Sequence, residues 1–534
     1  MVFFPAGKNT PGLYDKYAKF RFSKAGFRKY FLTMHTYSKK HLMKIRIIFS
    51  SIIAVFIAAS VKAQTTEFNL SAYTPPEYVY RSLDFSYYLS GSSNGDVTFR
   101  DGVKNGKNAI KYFSTSLQSG YKQYSNSRRY QGSTGLNLYA GFSINKDDRF
   151  GAAYDNKHRQ SGNSVKLSYS GQNRFYRNGK AFFEVDPDVG LIHQSIAYSD
   201  KNYQNDSLVN DSKTYKWEPS VNIKMPLLAG YGRIEDITDA RHAVYILEGL
   251  RQTGSLKRGY NDADILSLAA GITKIRNKRF FDSRHQRIYE LETLDSLLQS
   301  YGLTGDKDAA YFTALNDEWL YSMNTYRYSG IRFSGGIDPQ YSLYHYLKEI
   351  TSNLAAVDDQ KRWDESLYRY IGLKAGFKHE KPISLKWQSS LDCSIGYGIE
   401  YAMTSFKNLL PDPSGIRKST QKQQRGNILI GYQAGFYPNS RTWLQAGIDA
   451  QVLYYGNGTT KPYATAESDL PHSLIFAGGP DVSLYYYISP RLRLSVNCGF
   501  DYYRKWVESY NGEARSVDRS WDWGINSTVT YSLF

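Results

Sequence analysis

The chain has 534 residues, of which 41% are hydrophobic, and a formal net charge of +18. A soluble chain of this length would be expected to divide into several domains, because single hydrophobic cores stop growing at about 250–300 residues. Residues 1–63 hold twelve Lys and Arg and one acid, or +11 of the +18, which leaves +7 for the remainder. The whole-chain charge therefore does not indicate nucleic-acid binding.

Residues 1–42 are basic and aromatic, with Asp15 as the one acid. Translation that begins at Met43 or Met34 would leave this stretch outside the fold, and this is the interpretation we favour. An organelle transit peptide is the alternative, because such peptides are also basic and poor in acids. A secretory signal directly behind the stretch argues against that alternative.

Residues 43–63 are predicted to be this signal peptide. Two basic residues follow Met43, residues 47–61 form an apolar run interrupted by serines, and small residues precede Gln64. This is the order of an export signal, and the run is shorter than the ~20 residues of a transmembrane helix. We expect cleavage after Ala63, and Gln64 is not the cysteine of a lipid anchor.

The remainder of the chain is rich in tyrosine, with 44 of the 48 tyrosines after residue 63, and in Gly and Ser. No long apolar run follows residue 63, and the mean hydropathy of −0.52 excludes helical membrane spans. Transmembrane β-barrels have this composition, because aromatic residues mark both membrane interfaces and polar residues line the lumen. A secreted β-sandwich shares part of it, so the periodicity has to decide.

Long alternating segments predict strands that cross a membrane. Apolar residues occupy nearly every second position of residues 385–403, and the interleaved positions are polar or glycine. Residues 428–436, 444–454 and 492–502 alternate in the same way, and short turns such as residues 438–440 join such segments. These segments exceed the usual strand length of about 5–6 residues and reach the ~9–11 residues that cross a bilayer. The pattern predicts an antiparallel meander.

Residues 235–325 have a helical pattern instead. Four segments begin with Thr, Asn or Asp and continue with apolar residues spaced by three and four, and two of them end at Gly254 and Gly302. These are helix caps and helix ends, so four short helices are predicted between two barrel halves, residues 64–234 and 326–534. Such a module can plug the lumen, cap the outside or hang in the periplasm; the alternative is a long loop with incidental helices.

The predicted fold is all-β, a transmembrane antiparallel up-and-down β-barrel with this helical module inserted. About seven strand-like segments precede the module and about eight follow it, and bacterial barrels have even strand numbers, so about 14–16 strands are expected.

The chain closes on a strand-like segment, residues 523–534, that ends at Phe534. A final strand with a terminal aromatic residue resembles Gram-negative outer-membrane β-barrel proteins, whose insertion machinery reads that strand. The register differs from the commonest form, because Phe534 does not share a face with Tyr531. The resemblance is to the class as a whole, and it implies export to the outer membrane, with lipid, lipopolysaccharide and the insertion machinery as partners.

Charged residues interleaved with the apolar face are the candidate lumen-lining groups: Lys386, Asp392, Glu400, Asp449, Arg493 and Asp501. In an open pore such groups set solute selectivity; alternatively, they form ion pairs that close the interior. The two cysteines, Cys393 and Cys498, fall on the apolar faces of separate strands, and we expect them to be unpaired thiols that face lipid.

No catalytic or metal-binding motif is found in the sequence, and the histidines are dispersed. We therefore expect no cofactor and no enzymatic activity. Passage or export of a solute across the outer membrane is the leading hypothesis. A surface scaffold or binding protein anchored by a closed barrel is the main alternative, and a barrel hydrolase with a Ser or Asp near a His at the rim is the third.

Overall fold

The computed structural model describes residues 68–531, except residues 152, 178, 279–282, 323–325, 355–357, 412, 464–465, 490–491 and 509–515. The predicted signal peptide and Phe534 lie outside the described residues. Within the described part of the chain, no helix combines the length and the apolar character that a membrane span requires.

The described residues form seventeen strands in one antiparallel sheet, four α-helices and one short 3-10 helix, Leu70–Ala72. The strands before the helices are β1 (Tyr78–Arg100), β2 (Val103–Asn126), β3 (Tyr130–Gly151), β4 (Tyr154–Tyr176), β5 (Ala181–Val185), β6 (Asp188–Gln204), β7 (Ser207–Lys224) and β8 (Leu227–Asp236). The helices are α1 (Thr238–Gln252), α2 (Asp262–Arg276), α3 (Ser283–Ser300) and α4 (Ala309–Ser322). The later strands are β9 (Tyr328–Ser352), β10 (Gln360–Pro382), β11 (Trp387–Leu410), β12 (Arg417–Phe436), β13 (Thr442–Lys461), β14 (Ser468–Leu470), β15 (Ser473–Tyr487), β16 (Leu492–Val507) and β17 (Ser516–Tyr531).

Proline divides three staves, meaning full crossings of the sheet, into two strands each. β5 and β6 pair end to end with β4, and Pro187 lies between them. β7 and β8 pair with β9 in the same way across Pro226, and β14 and β15 pair with β13 across Pro471. Proline has no N–H to donate, so the ladder is interrupted at each of these points.

Counted as staves, the described strands number fourteen, joined in chain order, with six before the helices and eight after them. The expectation of about 14–16 strands is confirmed, although one stave fewer than expected precedes the helices. Among the described residues, β1 pairs only with β2 and β17 only with β16. β1 and β17 are therefore the two edge strands of the described sheet.

The apolar face of the sheet is the exposed one. Ile371, Leu373 and Ile395 are 55–69% exposed, whereas Glu380 and Gln388 on the opposite face of the same two strands are 5% exposed. A water-soluble sheet buries its apolar face and exposes the polar one. The observed arrangement is that of a barrel with an apolar outer wall and a polar interior.

One end of the barrel, here the module end, holds the start of β1, the end of β17 and the helices. The turns at this end are short, as in residues 127–129, 177–180 and 383–386. The opposite end, the distal end, has two-residue connections after β1, β3 and β6, and longer connections of six to eight residues after β9, β11, β13 and β16.

The four helices share a dry core of their own. Its fully buried side chains include Leu247, Leu268, Leu294 and Trp319. Asn261 and Asp264 form a capping box at the start of α2. Gly254 and Gly302, predicted as helix ends, both have positive φ angles, which glycine adopts at little cost.

The segment before β1 also packs into this core. Leu70 and Tyr73 are buried against the helices, and the Tyr73 hydroxyl shares a hydrogen bond of 2.7 Å with that of Thr273 in α2. The helices and this segment therefore form one folded module.

Arg327 fastens the module to the turn between β10 and β11. Its side chain is fully buried, and its guanidinium donates four hydrogen bonds of 2.7–2.9 Å. The acceptors are the carbonyl oxygens of Ser384, Leu385 and Trp387 and the side-chain oxygen of Gln388. Burial lowers the pKa of Arg327 to about 10, which leaves it charged at neutral pH.

Two further contacts reach the turn between β12 and β13. The Tyr245 hydroxyl donates to the carbonyl oxygen of Tyr437 at 3.2 Å, and Arg441 pairs with Asp317 at 3.3 Å. These contacts are made to turns and to the first residues of β11, so the module is attached at this end of the barrel.

We predict that Arg327→Ala loosens the module without unfolding the barrel. The substitution removes the four hydrogen bonds between the Arg327 side chain and the residues around the turn between β10 and β11, which should weaken the attachment of the module by about 3 kcal/mol. Hydrogen exchange of amides in α1–α4 measures the loss. The control is Arg251→Ala, which removes a 63% exposed arginine paired with Glu248, and it should change exchange by less than about 0.5 kcal/mol. Equal protection in both variants would contradict the assigned role.

A second prediction concerns His242, which is fully buried in α1 and stacks on Trp319 with ring centroids 4.9 Å apart. Burial, and then the charges of Arg276 and Arg241, hold the pKa of His242 well below its usual range. The unfolded histidine takes up a proton below about pH 6.5 and the folded one does not. The module should therefore lose up to about 1.4 kcal/mol per pH unit below pH 6.5.

Hydrogen exchange of α1 and α4 as a function of pH measures this loss, and His242→Phe is the comparison. The variant should have a flatter pH dependence between pH 6.5 and pH 5. The same slope in both proteins would show that other groups cause it.

Candidate functional site

The barrel interior is the candidate functional site, because the inward face carries the polar and charged side chains. Residues paired directly across neighbouring strands point to the same side of a sheet. Asp392 shares a face with buried Gln388 and Glu400 on β11, so all three point inward. Following the ladders from Asp392 assigns the inward residues of each later stave.

Carboxylates line one sector of the interior. Asp392, Asp449, Asp481 and Asp501 project inward from β11, β13, β15 and β16. The first three border a cavity of about 500 Å³ near the module end. Lys378 lies 3.7 Å from Asp392. Among the described residues, no basic group lies within 4.0 Å of the other three aspartates.

Glycine holds this cavity open. A Cβ atom at Gly431 would lie 2.6 Å from the Oδ1 atom of Asp449, and one at Gly447 would collide with Asp481. The two carboxylates therefore lie against bare backbone, and larger residues at these positions would push them into the cavity.

Lysines line a different sector. A cavity of about 660 Å³ is bordered by Lys122, Lys224 and Lys374, together with Asp186 and Asp188. Pro187 and Pro226 also border it, so it lies where two staves lose ladder hydrogen bonds. The interior therefore has an acidic sector on β11–β16 and a mixed, lysine-rich sector on earlier staves.

Other inward charges are used within the wall. Arg174 and Glu184 form an ion pair of 2.8 Å with side chains 6% and 2% exposed. The carboxylate of Glu400 accepts hydrogen bonds from Tyr368 and Gln423. Groups held in this way stiffen the wall and are not directed at a solute.

The structure places the predicted lumen-lining residues in four different settings. Asp392, Asp449 and Asp501 lie together on the inner face of the acidic sector, and Glu400 lies on the same face inside a hydrogen-bonded cluster. Arg493 lies near the module end, where its ladder partners are Tyr487 on β15 and Thr530 on β17. Lys386 lies in the turn before β11 and is exposed, so it is not part of a strand. Asp481, which the sequence analysis missed, shares the first of these settings.

The structure also brings together a histidine and a carboxylate that are 42 positions apart in the sequence. His158 on β4 and Asp200 on β6 are direct ladder partners, and their Nδ1 and Oδ1 atoms lie 2.5 Å apart. Both point inward near the distal end, and each side chain is about one-third exposed. Spacing within one segment cannot reveal such a pair, because only the strand register joins them.

Cys393 and Cys498 are both free thiols, as expected. Among the described residues, no group of three or more His, Cys, Asp or Glu side chains is placed to hold a metal ion.

No protein-family model matches the chain, and no curated protein matches it. Among solved structures, it is similar to the translocator domain of the autotransporter NalP from Neisseria meningitidis, with 9% identity, 84% of this chain and 98% of that chain covered, and a TM-score of 0.20.

It is also similar to a deletion mutant of the monoaromatic hydrocarbon channel TodX, with 11% identity, 89% of this chain and 94% of that chain covered, and a TM-score of 0.23. A third similar structure is the outer membrane protease OmpT from Escherichia coli, with 9% identity, 88% of this chain and 99% of that chain covered, and a TM-score of 0.13. TM-scores this low carry no argument about function.

Proposed function

We propose that the chain is an outer-membrane β-barrel that lets small polar solutes pass through its interior. The observation that carries this proposal is the row of unpaired carboxylates, Asp449, Asp481 and Asp501, on the inner face. An ionised carboxylate in a dry, apolar space costs several kcal/mol unless it is paired. These groups therefore support an interior that contains water.

The orientation in the membrane follows from the connections between staves. Bacterial barrels have short periplasmic turns and longer extracellular loops. By this rule the module end faces the periplasm and the distal end faces the outside. The exposed apolar side chains of the outer wall, such as Leu373 and Trp521, then contact lipid.

The module bears on the route that a solute takes. Through Arg327 and Tyr245 it is held against the turns on the periplasmic side, so a solute that leaves the barrel there has to pass it. The proposal is therefore a pore that opens to the outside and is partly covered at the periplasmic mouth.

Single-channel conductance of the folded mature protein in a planar bilayer tests the proposal. Conductance steps with a preference for cations are expected, and Asp449→Asn combined with Asp481→Asn should lower the cation-to-anion permeability ratio at least roughly twofold. The control is Asp155→Asn with Asp211→Asn, which makes the same charge change on the outward face and should leave the ratio unchanged.

Electrical silence of correctly folded protein would contradict passage. It would favour the surface scaffold or binding protein anchored by a closed barrel. Conductance with an unchanged permeability ratio in the Asp449→Asn and Asp481→Asn variant would place the selectivity elsewhere in the interior.

A barrel hydrolase is the second candidate, and the His158–Asp200 pair is the observation that favours it. A carboxylate bound to Nδ1 orients an imidazole as a general base. Among the described contacts, no hydroxyl or thiol is hydrogen bonded to His158, so water would be the attacking group.

Release of fluorophore from peptide and lipid-ester substrates tests this activity. Turnover that falls at least about a hundredfold in His158→Gln, and does not fall in His193→Gln, would support it. The absence of turnover by the native chain would remove the hydrolase from consideration.

A further inference from the structure

The outer wall of the barrel carries a cleft of about 400 Å³ near the distal end, across β3, β4, β6, β7 and β9. Most residues that line it point outward, away from the interior. A site on the outer wall faces lipid or the membrane surface and cannot serve the passage of solutes through the lumen.

Three rows of outward residues run around the wall at this place, each formed by direct ladder partners on β3, β4, β6 and β7. The row nearest the distal rim is Asp148, Lys157, Lys201 and Asp211. The middle row is Lys146, Arg159, Ser199 and Lys213. The row nearest the middle of the barrel is Ile144, Ser161, Ala197 and Tyr215.

The shape of the cleft follows from the third row. Ser161 and Ala197 are small and lie between the larger side chains of Ile144 and Tyr215, so the wall is hollow between them. One row further toward the module end, Phe142 and Trp217 are 41% and 38% exposed. Aromatic residues of this kind mark the interface between lipid tails and headgroups.

The charges of the rim row are neutralised. Lys157 pairs with Asp155 and Lys201 with Asp211, both at 3.1 Å. The other two charged groups of the cleft also have partners, because Arg159 pairs with Asp148 at 2.5 Å and Glu349 with Lys361 at 3.2 Å.

Lys146 and Lys213 differ from these groups. Neither lysine has a carboxylate within 4.0 Å among the described residues. They are three strands apart in the middle row, which corresponds to about 14 Å between their backbones. Two ammonium groups without an ion-pair partner within 4.0 Å therefore face one cleft, with Arg159 and the Ser199 hydroxyl between them.

We propose that this cleft binds the phosphorylated headgroup of an outer-leaflet lipid, of the lipopolysaccharide type. The middle row lies at headgroup level, and Lys146 and Lys213 supply the positive charge that phosphate groups require. Ile144, Tyr215 and then Trp217 continue toward the middle of the barrel, where the acyl chains lie. The inference rests on the proposed outer-membrane location, and it is independent of whether the interior conducts.

Binding of a fluorescent, deep-rough lipopolysaccharide to the full mature chain in neutral detergent micelles tests the site. Lys146→Ala combined with Lys213→Ala should weaken binding about thirtyfold, because each lysine near an anionic lipid surface contributes about fivefold in affinity. The control is Lys157→Ala with Lys201→Ala, which removes the same charge one row away from lysines that already have partners. It should weaken binding less than about threefold. Circular dichroism confirms that both variants are folded.

Two further ligands identify the group that is recognised. Dephosphorylated lipid A should bind the native chain as weakly as lipopolysaccharide binds the Lys146 and Lys213 double variant, and inorganic phosphate should not displace the lipid at equal concentration. Equal losses in the two lysine pairs, or tight binding of the dephosphorylated lipid, would overturn the proposal. Binding of inorganic phosphate alone with the same lysine dependence would also overturn it, in favour of a site for free phosphate.

Discussion

Backbone hydrogen bonds between neighbouring staves are the interaction on which the rest of this molecule depends. In hydrocarbon every N–H and C=O needs a partner within the protein, which strands meet only by pairing side by side. Pairing forces alternate side chains to opposite faces. Each stave must therefore present apolar side chains to lipid on one face and polar side chains to the interior on the other. The exposed Leu373 and Ile371 of β10, against the inward Lys374 and Tyr370, show both demands met within five consecutive residues. The outer edges of β1 and β17 are subject to the same demand, which pairing of these two strands with each other would meet.

The same constraint explains where the ladder is interrupted. Pro187 and Pro226 remove donors at neighbouring points of two staves, and both residues border the lysine-rich cavity. Backbone at membrane depth can lack a ladder partner only where it faces protein or water. The proline breaks and the cavity therefore coincide: ladder hydrogen bonds are missing beside the cavity that the lysines border.

Much of this fold was predictable from sequence, because two-residue alternation and three-to-four spacing are local signals. The alternation led to the correct strand type and nearly the correct number of staves, and the N-caps and Gly254 marked the helices. Alternation cannot show where a strand ends. Lys386 continues the polar series of β11 but lies in the turn, which is set by the buried Arg327 that binds its neighbours. Asp481, the His158–Asp200 pair and the outward lysine row depend on register between strands, and the position of the module depends on contacts between distant segments.

The module and the acidic sector are joined through the same hairpins. Arg327 binds the turn before β11. Its partner Gln388 lies on the inner face of β11, where Ser390 and then Asp392 are the next inward residues. Tyr245 binds Tyr437 in the turn after β12. The inner face of β12 carries Gly431, which lies next to the Asp449 carboxylate. The module has few ways to shift without moving these turns, and the turns cannot move without moving the strands that carry the carboxylates. A closely packed helical core is stiff. The attachment of the module at these turns therefore fixes the strand ends at which the acidic sector begins. The geometry of the interior thus depends on contacts that the module makes outside the interior.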